Sequence, residues 1–281
     1  MRCVRLAWPL LLACRPGGED SGSSLANEAC GDPADTVTVV VTSIGYMRAE
    51  DGVSWGFDVD QQDSTTCGHD DYVTPQGKVG IDNGLATLVP ALEASEAKVL
   101  EGLLNSTIVE GRLLLAVEIS RVDDLYNDDC VDVEFFQAYG DPLLGTDGGI
   151  LPGQTLTRNP DTPSTTIEGV AIDCGVLEAQ PMDIDLPLGV LDAFFELNYT
   201  DGGIQLNFGE DGHHTGFFTG AAAEEEVYEI LYSSDGIDGD IQNLVETLLG
   251  LALDIDRDGD GTCEELSGGF EFEAGEIFIA E

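Results

Sequence analysis

The chain has 281 residues, of which 42% are hydrophobic, enough for one large or two modest domains with a sizeable core. Only 10 Lys and Arg stand against 55 Asp and Glu, which gives a formal charge of -45. So large a negative charge repels nucleic acid and anionic surfaces, and cations would relieve the repulsion within the chain itself. The composition therefore argues against nucleic-acid binding and favours a salty or calcium-rich exterior.

The amino terminus carries an export signal. Arg2 and Arg5 precede an apolar run, residues 6–13, that is too short to span a bilayer. Residues 11–14 read Leu-Leu-Ala-Cys and resemble the lipobox of bacterial lipoproteins. The resemblance implies cleavage before Cys14 and acylation of that cysteine, which would anchor the protein without a spanning segment. The alternatives are an ordinary secretory signal and a mis-called start codon.

A signal peptide at 1–13 is followed by a predicted flexible acidic tether at 14–35, because Gly, Ser, Pro, Asp and Glu dominate there. Residues 36–281 are predicted to form a single β-rich domain. Alternation of apolar and polar residues predicts strands, and three- to four-residue spacing predicts helices, the first of them capped by Asp82. The predicted strands are 37–41, 53–59, 112–119, 131–136, 166–172, 176–188, 190–199, 203–208, 214–218 and 270–279, and the helices are 82–92, 93–104, 224–233 and 237–252.

Many short strands with tight turns and few helices predict a mainly β (α+β) class. The expected architecture is an antiparallel β-sandwich or curved sheet with a few peripheral helices. The passage from 140 to 164 is rich in Gly and Pro and is predicted as a long loop with one short strand.

A metal site is predicted in the twelve residues 254–265, which have the spacing of an EF-hand calcium loop. Calcium takes six to eight hard oxygen ligands, and Gly259 stands where such a loop turns sharply. The expected cofactor is Ca²⁺. The expected ligands are the carboxylates of Asp254, Asp256 and Asp258, the carbonyl of Asp260, and a bidentate Glu265.

This resemblance to an EF-hand is partial. An apolar helical face leads into the loop, but Ser267, Gly268 and Gly269 end any helix after it. A second register starting at Asp256 ends on Ser267 and lacks the bidentate carboxylate, so the first register is preferred. The alternative is an acidic turn in an acidic protein.

Cysteines 67, 130, 174 and 263 are candidates for disulfide bonds, because an exported compartment permits them. The preferred pairing is Cys67 with Cys130 and Cys174 with Cys263, leaving Cys30 in the tether. Other pairings remain open, since cysteine spacing alone does not determine connectivity.

Catalytic chemistry is not indicated by any motif. Residues 52–56 spell G-x-S-x-G, but a nucleophile elbow needs a buried strand before the serine and a helix after it. Acidic residues precede Ser54 instead, and strand-like residues follow. We therefore expect no enzyme and no catalytic residues.

The lipobox, the acidic tether and several short phrases together resemble secreted lipoproteins of myxobacterial type; the phrases are 80–83, 113–117, 128–130 and the aspartate loop before Cys263. The resemblance implies export and anchoring at the outer membrane or cell surface, but no activity. The expected function is a lipid-anchored, calcium-stabilised binding or structural module, whose partner is an unknown protein, glycan or lipid. The alternatives are a carrier of an apolar or lipid ligand in the cell envelope and an extracytoplasmic hydrolase.

Overall fold

A computed structural model describes residues 35–62, 69–94, 100–190, 193–209, 211–233, 243 and 246–280. With 48% strand and 15% helix, the protein is mainly β, as the sequence predicts. Among these residues, no helix combines the length and the apolar character needed to cross a bilayer.

Nine strands and three helices make up the described fold. The strands are β1 (Thr36–Tyr46), β2 (Leu114–Ser120), β3 (Asp128–Tyr139), β4 (Thr155–Arg158), β5 (Ser164–Asp173), β6 (Val176–Val190), β7 (Ala193–Asn207), β8 (His213–Ala223) and β9 (Glu265–Ala280). The helices are α1 (Leu85–Ala94), α2 (Leu100–Val109) and α3 (Glu224–Ser233).

Eight strands close into an antiparallel barrel in the order β1-β2-β3-β5-β6-β7-β8-β9, and β9 returns to pair with β1. The short β4 adds between β3 and β9. The predicted sandwich is therefore wrong. Alternating inward and outward residues occur in sandwiches and barrels alike, and the pairing of the first strand with the last decides between them.

The register defines two ends of the barrel. At what we call the Thr36 end lie the pairs Thr36 with Ser120, Val176 with Asn207, and His213 with Gly275. At the Glu265 end lie the pairs Tyr46 with Phe270 and Ala223 with Glu265. The aspartate loop enters β9, so it belongs to the Glu265 end.

Four apolar clusters are buried among the described residues, and the two largest hold the barrel and the aspartate loop in place. The main core consists of buried residues from strands all around the barrel, such as Val117, Ile204 and Phe218. A smaller cluster, formed by Leu88, Leu92, Leu249, Ala252, Leu253 and Leu266, packs α1 against the segment that leads into the aspartate loop. The second core therefore positions the predicted metal site.

Most predicted strands are present, but two predictions fail. Residues 53–59 form only isolated bridges, from Val53 to Glu50 and Val73. The predicted strands 190–199 and 203–208 form one strand, β7, whose pairing with β8 is irregular between 200 and 203. Most of the predicted 237–252 helix lies outside the described residues, although 246–249 are helical.

Candidate metal centre

The aspartate loop is held by its own short hairpin. Ile255 and Glu265 form an antiparallel bridge, and Glu264 N donates to Ile255 O at 3.0 Å. Ile255 is fully buried, which fixes the start of the loop in the core. The residues between these two ends must therefore turn back on themselves over a short span.

Four carboxylates converge in this turn. Asp256, Asp258, Asp260 and Glu264 each offer one oxygen, and these four atoms lie within 4.8 Å of one another. Asp256 is only 2% exposed, whereas Asp258 and Asp260 face solvent. Carboxylate oxygens are hard ligands, which suit Ca²⁺ better than metals that prefer sulfur ligands.

Backbone amides shape the turn around Asp256. Gly259 N donates to Asp256 Oδ1 and Gly261 N donates to Asp256 Oδ2, both at 2.8 Å. Asp258 and Asp260 each accept from the amide two residues later. Gly259 and Gly261 have φ of 74° and 91°, a left-handed backbone that glycine adopts without strain.

Glu264 has a buried carboxylate oxygen without a hydrogen bond in the described part of the chain. Its Oε2 is buried and has no hydrogen-bond partner among the described residues. Lost hydration, followed by the negative charge of Asp258 and its neighbours, raises the pKa of Glu264. Leaving a buried acceptor unpaired costs free energy, and a cation would remove that cost.

The structure places two of the five predicted ligands outside this group of carboxylates. Asp254 is partly buried, and it accepts hydrogen bonds from the amide (2.8 Å) and the hydroxyl of Ser267. The opening of α1 packs against it, since a Cβ on Gly84 would come within 2.7 Å of Asp254 Oδ1. Asp254 is therefore a structural group joining α1 to β9.

Glu265 is also engaged elsewhere. Its Oε2 accepts from Arg257 Nε at 2.8 Å, and the same guanidinium reaches Asp201 Oδ2 at 2.7 Å. The carboxylates that do converge stand at positions one, three, five and nine of a loop that starts at Asp256. The geometry thus favours the second register, with Glu264 in place of Asp254 and Glu265.

A second group of carboxylates lies at Asp58, Asp60 and Asp82, again with one oxygen of each within 4.8 Å of the others. Asp82 is 4% exposed, and its Oδ2 accepts from Val59 N at 2.7 Å and from Asp60 N at 3.2 Å. Burial raises the pKa of Asp82 to about 8. The predicted cap role for Asp82 is wrong, because its carboxylate binds the 59–60 backbone rather than α1.

The two carboxylate groups are neighbours. Burial raises the pKa of Asp60, and the charges of Asp58 and Asp256 add to that effect while Arg257 opposes it. Because Arg257 is itself committed to Asp201 and Glu265, negative charge accumulates here in a partly dry environment.

Ser54, the centre of the G-x-S-x-G motif, is 2% exposed and has a structural role. Its hydroxyl donates to Trp55 O at 2.8 Å and accepts from Asn83 Nδ2 at 2.8 Å. The serine follows an isolated bridge residue and precedes irregular backbone, which is not the strand-to-helix elbow of a hydrolase.

Cys130, Cys174 and Cys263 are disulfide-bonded, whereas Cys14, Cys30 and Cys67 lie outside the described residues. The predicted pairing of Cys174 with Cys263 does not fit the register. Cys174 follows β5 at the Thr36 end, while Cys263 precedes β9 at the opposite end, and the 11 residues of β8 separate these ends. At about 3.3 Å per residue, that span far exceeds the reach of one disulfide.

Sequence reasoning missed Glu264 and the Asp58, Asp60 and Asp82 group. The alternation of Asp58 and Asp60 is the local signal that was available for the second group, and the nested register starting at Asp256 was the signal for Glu264. Asp82 comes from a distant stretch, so only the fold brings it to Asp60.

Comparison with protein-family models, with curated proteins and with solved structures found no match to this chain.

Proposed function

We propose that this chain is a lipid-anchored extracytoplasmic module in which Ca²⁺, held by Asp256, Asp258, Asp260 and Glu264, stabilises the entry into β9. The observation that carries the proposal is the unpaired, buried Glu264 Oε2 within a group of three aspartates. Divalent binding would neutralise charge that Arg257 leaves uncompensated. The proposed role at the cell surface is binding or structural, not catalytic.

The site lies at a junction between two parts of the fold. The loop joins the Leu88 and Leu249 core to the last barrel strand, which closes the barrel by pairing with β1. An ion that binds the native loop but not the unfolded chain stabilises by about 2.7 kcal/mol at a hundredfold excess over its dissociation constant. Calcium would therefore act on the closure of the whole barrel.

Thermal unfolding in calcium and in chelator tests this proposal, with magnesium at equal ionic strength as the control for screening. We expect calcium to raise the melting temperature of the parent, and this rise to be largely lost in Glu264→Gln and Asp256→Asn. Glu265→Gln is the matched control: it removes one neighbouring charge but no proposed ligand, so the calcium-dependent rise should survive. Equal melting of the parent in calcium and chelator would refute the site.

The anchor is tested separately by intact mass and by incorporation of labelled fatty acid in a bacterial host. The proposal expects acyl chains on the protein and their loss in Cys14→Ser. Its support is the lipobox spacing and the resemblance to secreted lipoproteins. An unmodified Cys14 in the mature protein would leave an ordinary secreted module.

A further inference from the structure

A face rich in exposed apolar side chains extends over β4 and the loop that leads into it. Leu143 is 63% exposed and Phe278 is 65% exposed, unusual values for side chains of this size. Further large exposed hydrophobics lie on the same segment or on strands beside it: Tyr139, Leu144 and Leu151. We call these five residues the apolar face.

A buried amide holds this face rigid. Gln154 is 8% exposed, and its Oε1 accepts from Leu143 N at 2.8 Å. Its Nε2 donates to Leu151 O at 2.6 Å, and its backbone carbonyl accepts from Phe278 N at 2.8 Å. The backbones of three of the exposed hydrophobics are thereby bonded to one residue, two of them to its side chain, so their exposure is built into the structure.

Strand register makes the face continuous. β4 places Thr155 opposite Phe278 and Thr157 opposite Tyr139. Side chains two apart on a strand share a side of the sheet, so these four groups point outward while Leu156, 3% exposed, points into the core. From Tyr139 to Thr157 the sequence contains two charged residues, Asp141 and Asp147, both exposed.

Charge decides which partner suits this face. A chain with a formal charge of -45 repels a second copy of itself and any anionic surface. An electrically neutral surface is not repelled in this way, and it can contact the leucine, phenylalanine and tyrosine side chains of the face. Side chains of this kind, without charge, are those that enter the headgroup boundary of a bilayer.

The position of the amino-terminal strand favours a lipid partner. Thr36, the first residue of β1, lines the same groove as Phe278, together with the acidic residues Glu118, Asp211 and Glu276. The chain that leads to β1 carries Cys14, so acylation would hold this end of the domain within a tether's length of the membrane. Glu276 points outward two residues before Phe278 and borders the face with a negative charge. This charge would keep the domain at the headgroup level of the bilayer.

We propose that the apolar face rests on a zwitterionic lipid surface and orients the domain against the membrane. The proposal rests on the anchoring proposed above, because the acyl chains bring the face to the bilayer. Burying several large apolar side chains would add a second attachment to the lipid anchor.

A tryptophan reporter tests the contact in the acylated full chain. Leu144→Trp places the reporter on the face, and Leu251→Trp places a matched reporter on a 65% exposed leucine near the aspartate loop. Both proteins are reconstituted in phosphatidylcholine vesicles with brominated acyl chains. We expect quenching at position 144 to exceed quenching at 251 several-fold; equal quenching would overturn the proposal.

A second experiment uses the full chain with Cys14→Ser, so that its result does not depend on acylation. Leu143→Ser, Leu151→Ser and Phe278→Ser together should weaken sedimentation with phosphatidylcholine vesicles by about tenfold or more. The control carries Val79→Ser, Tyr126→Ser and Leu251→Ser, three exposed hydrophobics elsewhere, and should bind like its parent. Circular dichroism verifies that both variants fold.

The two arms separate the proposals. If no acylation of Cys14 is found but the variant with Leu143, Leu151 and Phe278 replaced still loses vesicle binding, the anchor proposal is wrong and the apolar-face proposal is supported. If vesicle binding is unchanged in those variants, the face proposal is wrong whatever the state of Cys14. A parent that sediments as a dimer and a face variant that sediments as a monomer would assign the face to a second copy and refute the lipid proposal.

Discussion

His214 is a buried ionisable residue whose proton position is set by its contacts. It is 1% exposed, and its Nδ1 accepts from Gly209 N at 3.1 Å, so the neutral ring carries its proton on Nε2. Nε2 lies 3.4 Å from Glu276 Oε1. Burial lowers the pKa of His214 below 6.5, with Glu276 and Asp211 opposing and His213 adding to the shift.

Because the native pKa of His214 is lowered, acid should destabilise the fold through this residue. Below about pH 6.5 the unfolded chain takes up the proton first, so the stability falls as the pH is lowered from 7 to 5. His214→Asn keeps an acceptor for Gly209 N but cannot ionise there, and its stability should vary less with pH. Denaturant unfolding at both values measures the difference.

The control for this experiment is His213→Asn, since His213 is exposed and adjacent on the same strand. It should retain the pH dependence of the parent. If His214→Asn has the same pH dependence as the parent, protonation of His214 does not control acid stability.

At the scale of the element, Asn83 caps α1, whereas the sequence predicts Asp82 for this role. Asn83 is fully buried, and its Oδ1 accepts from Ala86 N at 3.3 Å. Its Nδ2 donates to Ser54 Oγ at 2.8 Å, which attaches the start of the helix to the 47–59 segment. One side chain therefore caps a helix and fastens an irregular loop.

Asn83→Ala should cost about 2 kcal/mol or more of unfolding free energy, because it removes the cap and leaves the Ser54 hydroxyl without this donor. Ser54→Ala should cost less, since it removes one partner and leaves the cap intact. Chemical denaturation of both single variants and the double variant gives the coupling between them. Additive costs would show that the Asn83 and Ser54 contact contributes nothing of its own.

The same region shows why sequence reading fails at certain elements. Residues 53–59 alternate as a strand would, yet Phe57 and Val59 are buried because they pack on Phe217 and Ala221 of the barrel. Their alternation of apolar and polar residues arises because the segment packs against a sheet, although it is not a strand of that sheet. By contrast, β2 and β3 both alternate in sequence and pair with each other by backbone hydrogen bonds, and their positions are predicted well.

For the aspartate loop, the sequence predicts that carboxylates gather, but not which ones. The choice depends on contacts with residues outside the loop: Arg257 binds both Asp201 and Glu265, while Ser267 donates hydrogen bonds to Asp254. Neither contact is visible in the spacing of a twelve-residue loop. Local pattern thus locates the candidate site, and tertiary packing selects its ligands.

At the scale of the whole molecule, closure of the barrel decides which parts of the chain meet. β1 lies between β2 and β9, so the first and last strands of the domain are neighbours. Alternation within each strand shows which face is buried but not which strand lies alongside, and this is why the sequence leaves sandwich and barrel equally open.

Closure also determines the disulfide pattern. Cys130 lies in β3 and Cys174 follows β5, strands that pair through Asp128 with Ile172 and Val131 with Val170. Cys174 N donates to Asn127 Oδ1 at 3.3 Å, so the two cysteine segments run side by side at the Thr36 end. Both cysteines are disulfide-bonded, and Cys263 lies at the other end of the barrel.

We therefore expect Cys130 to be bonded to Cys174, and Cys263 to a cysteine outside the described residues. Cys67 is the expected partner: burial raises the pKa of Asp254, and the charge of His69 is among the effects that oppose the rise, so His69, two residues after Cys67 in the sequence, lies near the aspartate loop. Proteolysis without reductant followed by mass spectrometry would identify the linked peptides, and the reduced sample is the control. A peptide joining Cys263 to Cys130 or Cys174 would contradict the register of the barrel, because each strand would then have to shift along its neighbours.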